Sequence, residues 1–185
     1  DYTMLRLGGD GLAFDTIACA GVNGSLPHAI PGDHVVQEGE LLTLDFGATY
    51  GGYCADMTRT VAFGKISDEL HDIYDTVLKA QLMSLDMVGP GVVCRDVDRC
   101  ARDYLDSKYP GAFGHSLGHG VGLFIHEQPG LNTRDERKLA PGHIVTIEPG
   151  VYLPGIGGCR IEDTVAIQEN GYRNLVNAPK ELITL

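Results

Sequence analysis

Gly142-His143-Ile144-Val145-Thr146-Ile147-Glu148-Pro149-Gly150, followed by Arg160-Ile161-Glu162-Asp163-Thr164, repeats a pattern the chain has already used. The earlier copy is Gly39-Glu40-Leu41-Leu42-Thr43-Leu44-Asp45-Phe46-Gly47, followed by Asp56-Met57-Thr58. In each copy an apolar run ends in a carboxylate and a glycine stands two residues further on. A second carboxylate then precedes a threonine. An internal repeat on this scale predicts two similar halves facing each other. Four carboxylates converging from two halves carry a large desolvation and repulsion cost unless cations neutralise them. The repeat therefore predicts a metal site where the halves meet.

Strand alternation decides which of these side chains share a face. Thr43 and Asp45 share one face of their strand, and Leu42, Leu44 and Phe46 take the other. If Tyr53 to Phe63 returns as one strand after the turn Tyr50-Gly51-Gly52, then Cys54, Asp56 and Thr58 share a face, and the hairpin sets Asp45 beside Asp56. In the second copy Thr146 goes with Glu148, and Arg160 with Glu162 and Thr164, while Asp163 points away. Two acids on one hairpin usually mark a solvated surface. Two such pairs embedded in repeated apolar contexts favour a site.

A nitrogen ligand is available in His115-Ser116-Leu117-Gly118-His119-Gly120-Val121-Gly122. The glycines around His119 allow a close backbone approach. Ser25-Leu26-Pro27-His28 echoes Ser116-Leu117-Gly118-His119 and brings His28 toward the site from the first half. The His119 to His126 spacing does not by itself place His126.

Between the copies the pattern is helical. Ser67 is a suitable N-cap, with Asp68 and Glu69 in the first turn. Leu70, Ile73, Tyr74, Val77, Leu78, Leu82, Leu85 and Val88 fall on one face at helical spacing, and Gly89-Pro90-Gly91 ends the run. A second helix is expected from about Arg95 to Lys108, with Val97, Ala101, Tyr104 and Leu105 inward. Residues 1–12 read as a helix end running into a loop, and Phe14 to Ala20 as a strand. The fold class is α+β, a curved antiparallel sheet with helices on one side. One domain spans 1–185, its halves being about 1–64 and 65–185. The first half lacks the two helices that precede the second-half strands. The chain is therefore expected to be N-terminally truncated, with an apolar sheet surface left uncovered.

Composition narrows the partners. The net charge of −11 argues against a nucleic-acid or anionic-membrane surface. No apolar run approaches the roughly 18 residues of a membrane span. No secretory signal is visible, so a cytoplasmic location is expected, although the chain begins at Asp1 rather than Met. The five cysteines are irregularly spaced and include no C-x-x-C pair, which predicts buried reduced thiols.

These residues resemble the pita-bread metallopeptidases (creatinase/aminopeptidase fold), and within them the Xaa-Pro aminopeptidases and prolidases. The resemblance runs from Phe14-Asp15-Thr16-Ile17 to Pro179-Lys180-Glu181-Leu182-Ile183. It is carried by Asp45-Phe46-Gly47, Ala55-Asp56-Met57-Thr58-Arg59-Thr60, Ile125-His126-Glu127 and Arg160-Ile161-Glu162-Asp163. It implies a five-residue ligand set of Asp45, Asp56, His119, Glu148 and Glu162 holding two divalent ions. Mn²⁺ comes first, with Co²⁺, Fe²⁺ or Zn²⁺ as alternatives. It implies that Asp56 and Glu162 bridge the ions and that Glu148 also shuttles a proton. His28, His115 and His126 would hold substrate, and Arg160 would orient a bridging carboxylate. Leu123, Phe124 and Ile125 are expected mainly in the core, with a proline slot as the alternative.

The implied activity is hydrolysis of the bond before proline at a peptide N-terminus, by an Xaa-Pro aminopeptidase. An Xaa-Pro dipeptidase, a broader aminopeptidase and a non-catalytic peptide-binding module of the same fold are the other readings. The expected partner is a peptide with proline at its second position, with a homodimer as the candidate assembly. The resemblance implies a separate N-terminal domain in full-length Xaa-Pro enzymes, and this chain is expected to lack it, which leaves substrate-length selection open.

Overall fold

The computed structural model describes residues 1–185. The first half runs α1 (Tyr2–Arg6), β1 (Gly11–Leu12), β2 (Ile17–Ala20), a 3₁₀ turn (Gly21–Ser25), β3 (Glu40–Phe46), β4 (Ala48–Tyr50), β5 (Tyr53–Cys54) and β6 (Met57–Phe63). Two long helices follow, α2 (Asp68–Met87) and α3 (Cys94–Lys108). The second half then adds β7 (Gly118–Gly120), β8 (Glu127–Leu131), β9 (Ile144–Ile147), β10 (Gly150–Leu153), β11 (Gly157–Arg160), β12 (Asp163–Ile167) and β13 (Tyr172–Asn174).

The antiparallel framework is divided into four sheets. They are ordered β2-β3-β6, β1-β4-β5, β13-β12-β9-β7-β8 and β10-β11. The division corrects the expectation of one return strand from Tyr53 to Phe63. β3 pairs with β6 and β4 with β5, with a break at Ala55-Asp56. The cause lies opposite, at Gly47: a Cβ there would collide with the Ala55 carbonyl, so only glycine lets the chains cross that closely. The register therefore sets Asp45 opposite Thr58, and Asp56 occupies the break. The second half breaks in the same way. β9 pairs with β12 and β10 with β11, which leaves Glu148 and Glu162 at the two gaps.

The α2 helix begins as expected, with the Ser67 side chain accepting from the Leu70 N–H. Caps of this kind contribute about 1 kcal/mol. Its buried face differs at one step. Leu82 is 42% exposed and Leu78 is half-buried, whereas Gln81 is fully buried. Gln81 lies four residues from both Val77 and Leu85, and its amide is spent on Asp163 (3.1 Å). On α3, Cys94, Val97, Asp98, Ala101 and Leu105 are buried, and Tyr104 is only half-buried. Both helices share one core with Val145, Ile147, Val151, Ile161 and Val165 of the second-half sheets, so they cover one side of them.

Strand β3 inverts the usual polarity. Leu41, Thr43 and Asp45 are buried, whereas Leu42, Leu44 and Phe46 are only half-buried. The inward face is the polar one because it looks onto the opposite half: Thr43 Oγ1 meets Thr60 Oγ1 on the neighbouring strand at 3.0 Å, and Thr60 Oγ1 donates across to the Arg160 carbonyl at 2.9 Å. All five cysteines are free. Cys19, Cys94 and Cys159 are buried, and Cys54 and Cys100 are half-buried. No helix is long and apolar enough to cross a membrane.

Candidate metal centre

The paired breaks give the chain a place for a site. A cavity of about 620 Å³ is lined by all nine sequence-predicted site residues: Asp45, Asp56, His119, Glu148, Glu162, His28, His115, His126 and Arg160. Asp45 comes from the end of β3 and Asp56 from the break before β6. Glu148 and Glu162 flank β9 and β12 at their gaps, and His119 is the middle residue of β7. His119 reaches the cavity because its neighbours are glycines. A Cβ at Gly118 would strike the Thr146 carbonyl, and one at Gly120 the Gln128 backbone. Thr146 Oγ1 accepts from the His119 N–H at 3.0 Å and donates to Glu148 Oε1 at 3.2 Å, tying two neighbours of the site to one hydroxyl.

Asp56, His119 and Glu162 bring their ligand atoms within 4.8 Å of one another. His119 Nε2 is 3.3 Å from Glu148 Oε1 and 3.6 Å from Asp56 Oδ2. His119 Nδ1 lies 2.9 Å from the Gly120 carbonyl. That carbonyl can only accept, so Nδ1 carries the proton and the Nε2 lone pair faces the carboxylates. Asp45 Oδ1 and Glu162 Oε1 are buried with no hydrogen-bond partner.

The electrostatics follow from this crowding. Burial pushes the Asp56 carboxyl up to about 8, reinforced by the charge of Asp45 and opposed by Arg160. Glu148 is likewise pushed up to about 8, chiefly by burial. Glu162 is held well above the carboxylate range by burial and by Glu148, Asp56 and Asp45. Burial lowers the His119 pKa, which keeps its imidazole neutral. Lone pairs converge here with too few protons between them. Two orphaned buried carboxylate oxygens and an imidazole nitrogen aimed at acids are the arrangement a divalent cation resolves. Four carboxylates and one imidazole suit Mn²⁺, Co²⁺, Fe²⁺ or Zn²⁺.

Around the acids the structure adds detail that the sequence did not give. Arg160 was expected to orient a bridging carboxylate, Asp56 or Glu162. Its Nη2 instead donates to Asp45 Oδ2 at 2.6 Å, and its Nη1 to Tyr152 Oη at 2.8 Å. Glu162 is held by Thr58, whose Oγ1 donates to Oε2 at 2.6 Å. His115 lines the cavity, but both its ring nitrogens are engaged, by the Ser116 carbonyl and by Tyr152 Oη, each at 2.8 Å. Burial, with the charge of Arg160 second, lowers its pKa to about 3. His28 and His126 are exposed at the cavity edge. Leu123 and Phe124 do not pack in the core: they are 60% and 73% exposed, because Gly122 and Glu127 hold the loop outward through backbone bonds to Phe124. Ile125 lines the cavity beside Phe14 and Ile17. Tyr152 and Thr58 were missed as site residues. Strand parity with Glu148 and Asp56 was the available signal for each.

The model of metallopeptidase family M24 matches residues 1–169. The chain belongs to metallopeptidase family M24. Its α+β architecture is the pita-bread fold of that family. A Bacillus subtilis relative, the uncharacterized peptidase YqhT, is 47% identical over 100% of this chain and 53% of its own length. An Xaa-Pro dipeptidase from Bacillus anthracis superposes with a TM-score of 0.97 at 46% identity, covering 100% of this chain and 52% of that one. An X-Pro aminopeptidase from Thermotoga maritima superposes with a TM-score of 0.96 at 42% identity, covering 100% and 53%. The chain thus spans about half the length of the M24 relatives it matches.

Proposed function

We propose that this chain carries the metal centre of a peptidase that hydrolyses the bond before proline at a peptide N-terminus. The observation that carries the reading is the convergence of Asp56, His119 and Glu162, beside buried acid oxygens without partners. Asp45, Asp56, His119, Glu148 and Glu162 would hold two divalent ions. When bound, such ions supply Lewis-acid activation of water and of the scissile carbonyl.

The chain's own residues account for the rest. Glu148, at the cavity wall and hydrogen-bonded by Thr146, takes the proton of the attacking water at a carboxylate oxygen and passes it to the leaving imino nitrogen. Arg160 holds Asp45 through its Nη2–Oδ2 bond and keeps it aimed into the cavity. His115 acts through Tyr152, since neither ring nitrogen is free for substrate. His28 and His126 contact the substrate backbone from the cavity edge.

An Xaa-Pro bond is a tertiary amide with no N–H. A selective site must therefore recognise the ring and the carbonyl before it. Phe14, Ile17 and Ile125 are the cavity's apolar residues and would contact the substrate's apolar parts. Aminopeptidase action is the first reading. Dipeptidase action is the second, supported by the name of the Bacillus anthracis neighbour. The test is a Mn²⁺-reconstituted assay on Xaa-Pro, Xaa-Pro-Xaa and matching Xaa-Ala substrates. A kcat/KM ratio near one between Xaa-Pro-Xaa and Xaa-Ala-Xaa would sink the proline assignment. Cleavage of the dipeptide alone would select the second reading.

A further inference from the structure

A cluster of buried charge lies directly behind the acids and contributes nothing to the cavity wall. Arg59 on β6 is 8% exposed and Asp163 on β12 is 0% exposed. Arg59 Nη2 donates to Asp163 Oδ1 at 2.7 Å. The other carboxylate oxygen, Oδ2, accepts from Gln81 at 3.1 Å and from Asn174 at 2.6 Å, and pairs with Lys180 at 2.5 Å. Every other Arg59 bond goes to main-chain carbonyls. Nη1 donates to Thr58 at 2.9 Å and to Glu162 at 2.5 Å; Nε and Nη2 donate to Pro179 and Ala178, each at 2.9 Å.

The first two of those carbonyls belong to opposite halves. They are also the residues already joined twice, by Thr58 Oγ1 to Glu162 Oε2 at 2.6 Å and by the Glu162 N–H to the Thr58 carbonyl at 3.1 Å. One guanidinium nitrogen therefore sets the spacing of two backbone segments whose side chains meet in the site. A buried ion pair is weak evidence for stability, since desolvation offsets its attraction. Its geometry carries more information. A planar fork of five donors fixes several oxygens at once, and a lysine ammonium cannot reproduce it.

We infer that Arg59, held by Asp163, is a positioning residue that sets Glu162 against Thr58 and thereby fixes the geometry offered to divalent ions; the inference rests on the metallopeptidase reading above. Neighbours that only orient metal ligands typically change affinity by about 10–100-fold when lost. The experiment is calorimetric titration of Mn²⁺ into purified wild-type, Arg59→Lys, Asp163→Asn and Val77→Ala proteins, with melting temperature measured on each. Val77 is fully buried on α2, outside this network, and serves as the stability control. Arg59→Lys and Asp163→Asn should weaken the Mn²⁺ Kd by about 10–100-fold, while Val77→Ala lowers Tm with Kd unchanged. An Arg59→Lys Kd equal to that of the wild type overturns the inference. If Arg59→Lys does not fold, Asp163→Asn decides by the same criterion. Failure of both to fold assigns the pair to folding alone and also overturns it. A wild type that takes up none of Mn²⁺, Co²⁺, Fe²⁺ and Zn²⁺ overturns the metal-centre reading itself, an outcome visible without any variant.

Discussion

Metal-free protein should lose stability as pH rises through the neutral range, against the usual trend for carboxylates held by partners. Asp56 and Glu148 are both pushed up to about 8, the first cause in each case being burial. Unfolded, such groups titrate near 4. Between those values the folded chain keeps protons that the unfolded chain has released, so the stability present below about pH 4 is lost as pH climbs toward about 8. The charges that raise one carboxyl also raise the other, so we count a single excess proton. That gives about 1.4 kcal/mol per pH unit, or about 4 kcal/mol across the three units from about pH 5 to about pH 8. At about 2–4 °C per kcal/mol for a chain of this length, Tm should fall by roughly 8–16 °C. Calorimetry in a chelator at several pH values measures this directly. Saturating Mn²⁺ should reverse the slope, because cations and protons compete for the same oxygens. A chelated protein whose Tm is flat or rises over this window would show that burial and mutual repulsion do not hold protons on these acids.

Three further outcomes are expected. Glu148→Gln keeps the side-chain shape but removes the proton acceptor, so kcat should drop on the order of 10²-fold or more at verified metal content; near-normal turnover removes Glu148 from the proton path. His126→Ala should lower kcat/KM for Xaa-Pro substrates while Mn²⁺ stoichiometry is unchanged, since His126 is exposed at the cavity edge; loss of metal would instead make it a ligand. Asp98→Ala should cost about 3 kcal/mol in chemical denaturation, because it removes the buried carboxylate that Arg102 meets at 2.8 Å through both Nε and Nη2 and that accepts from the Leu117 N–H at 3.0 Å. A loss under about 1 kcal/mol would mean that water replaces the carboxylate there.

The legible part of this molecule is periodic. Alternation separated Asp45 from Leu44 and Glu162 from Asp163, and the structure turns Glu162 into the cavity and Asp163 behind it. Helical spacing set most of the inner face of α2. What could not be read depends on contacts between distant segments. The break at Ala55-Asp56 follows from the missing Cβ of Gly47, and no local pattern around Asp56 announces it. Gln81 is polar and buried because Asp163 waits across the core. Leu123 and Phe124 have core composition and an exposed fate, decided by the turn that Glu127 caps. The Arg160 motif was visible, but its bond to Asp45, 115 residues away in sequence, was not.

The stitching of the halves also bears on how the molecule comes into being. Thr58 and Glu162 are 104 residues apart in sequence, and Asp45 and Arg160 are 115 apart. Contacts over such distances form only after long loops have closed, late in the search for the native state. During synthesis β3 and β6 emerge well before β12, so Asp45 and Asp56 await both partners. On the metal-centre reading proposed above, a nascent chain would display acids too few to hold a cation tightly, and the full binding geometry would arrive only with the last strands.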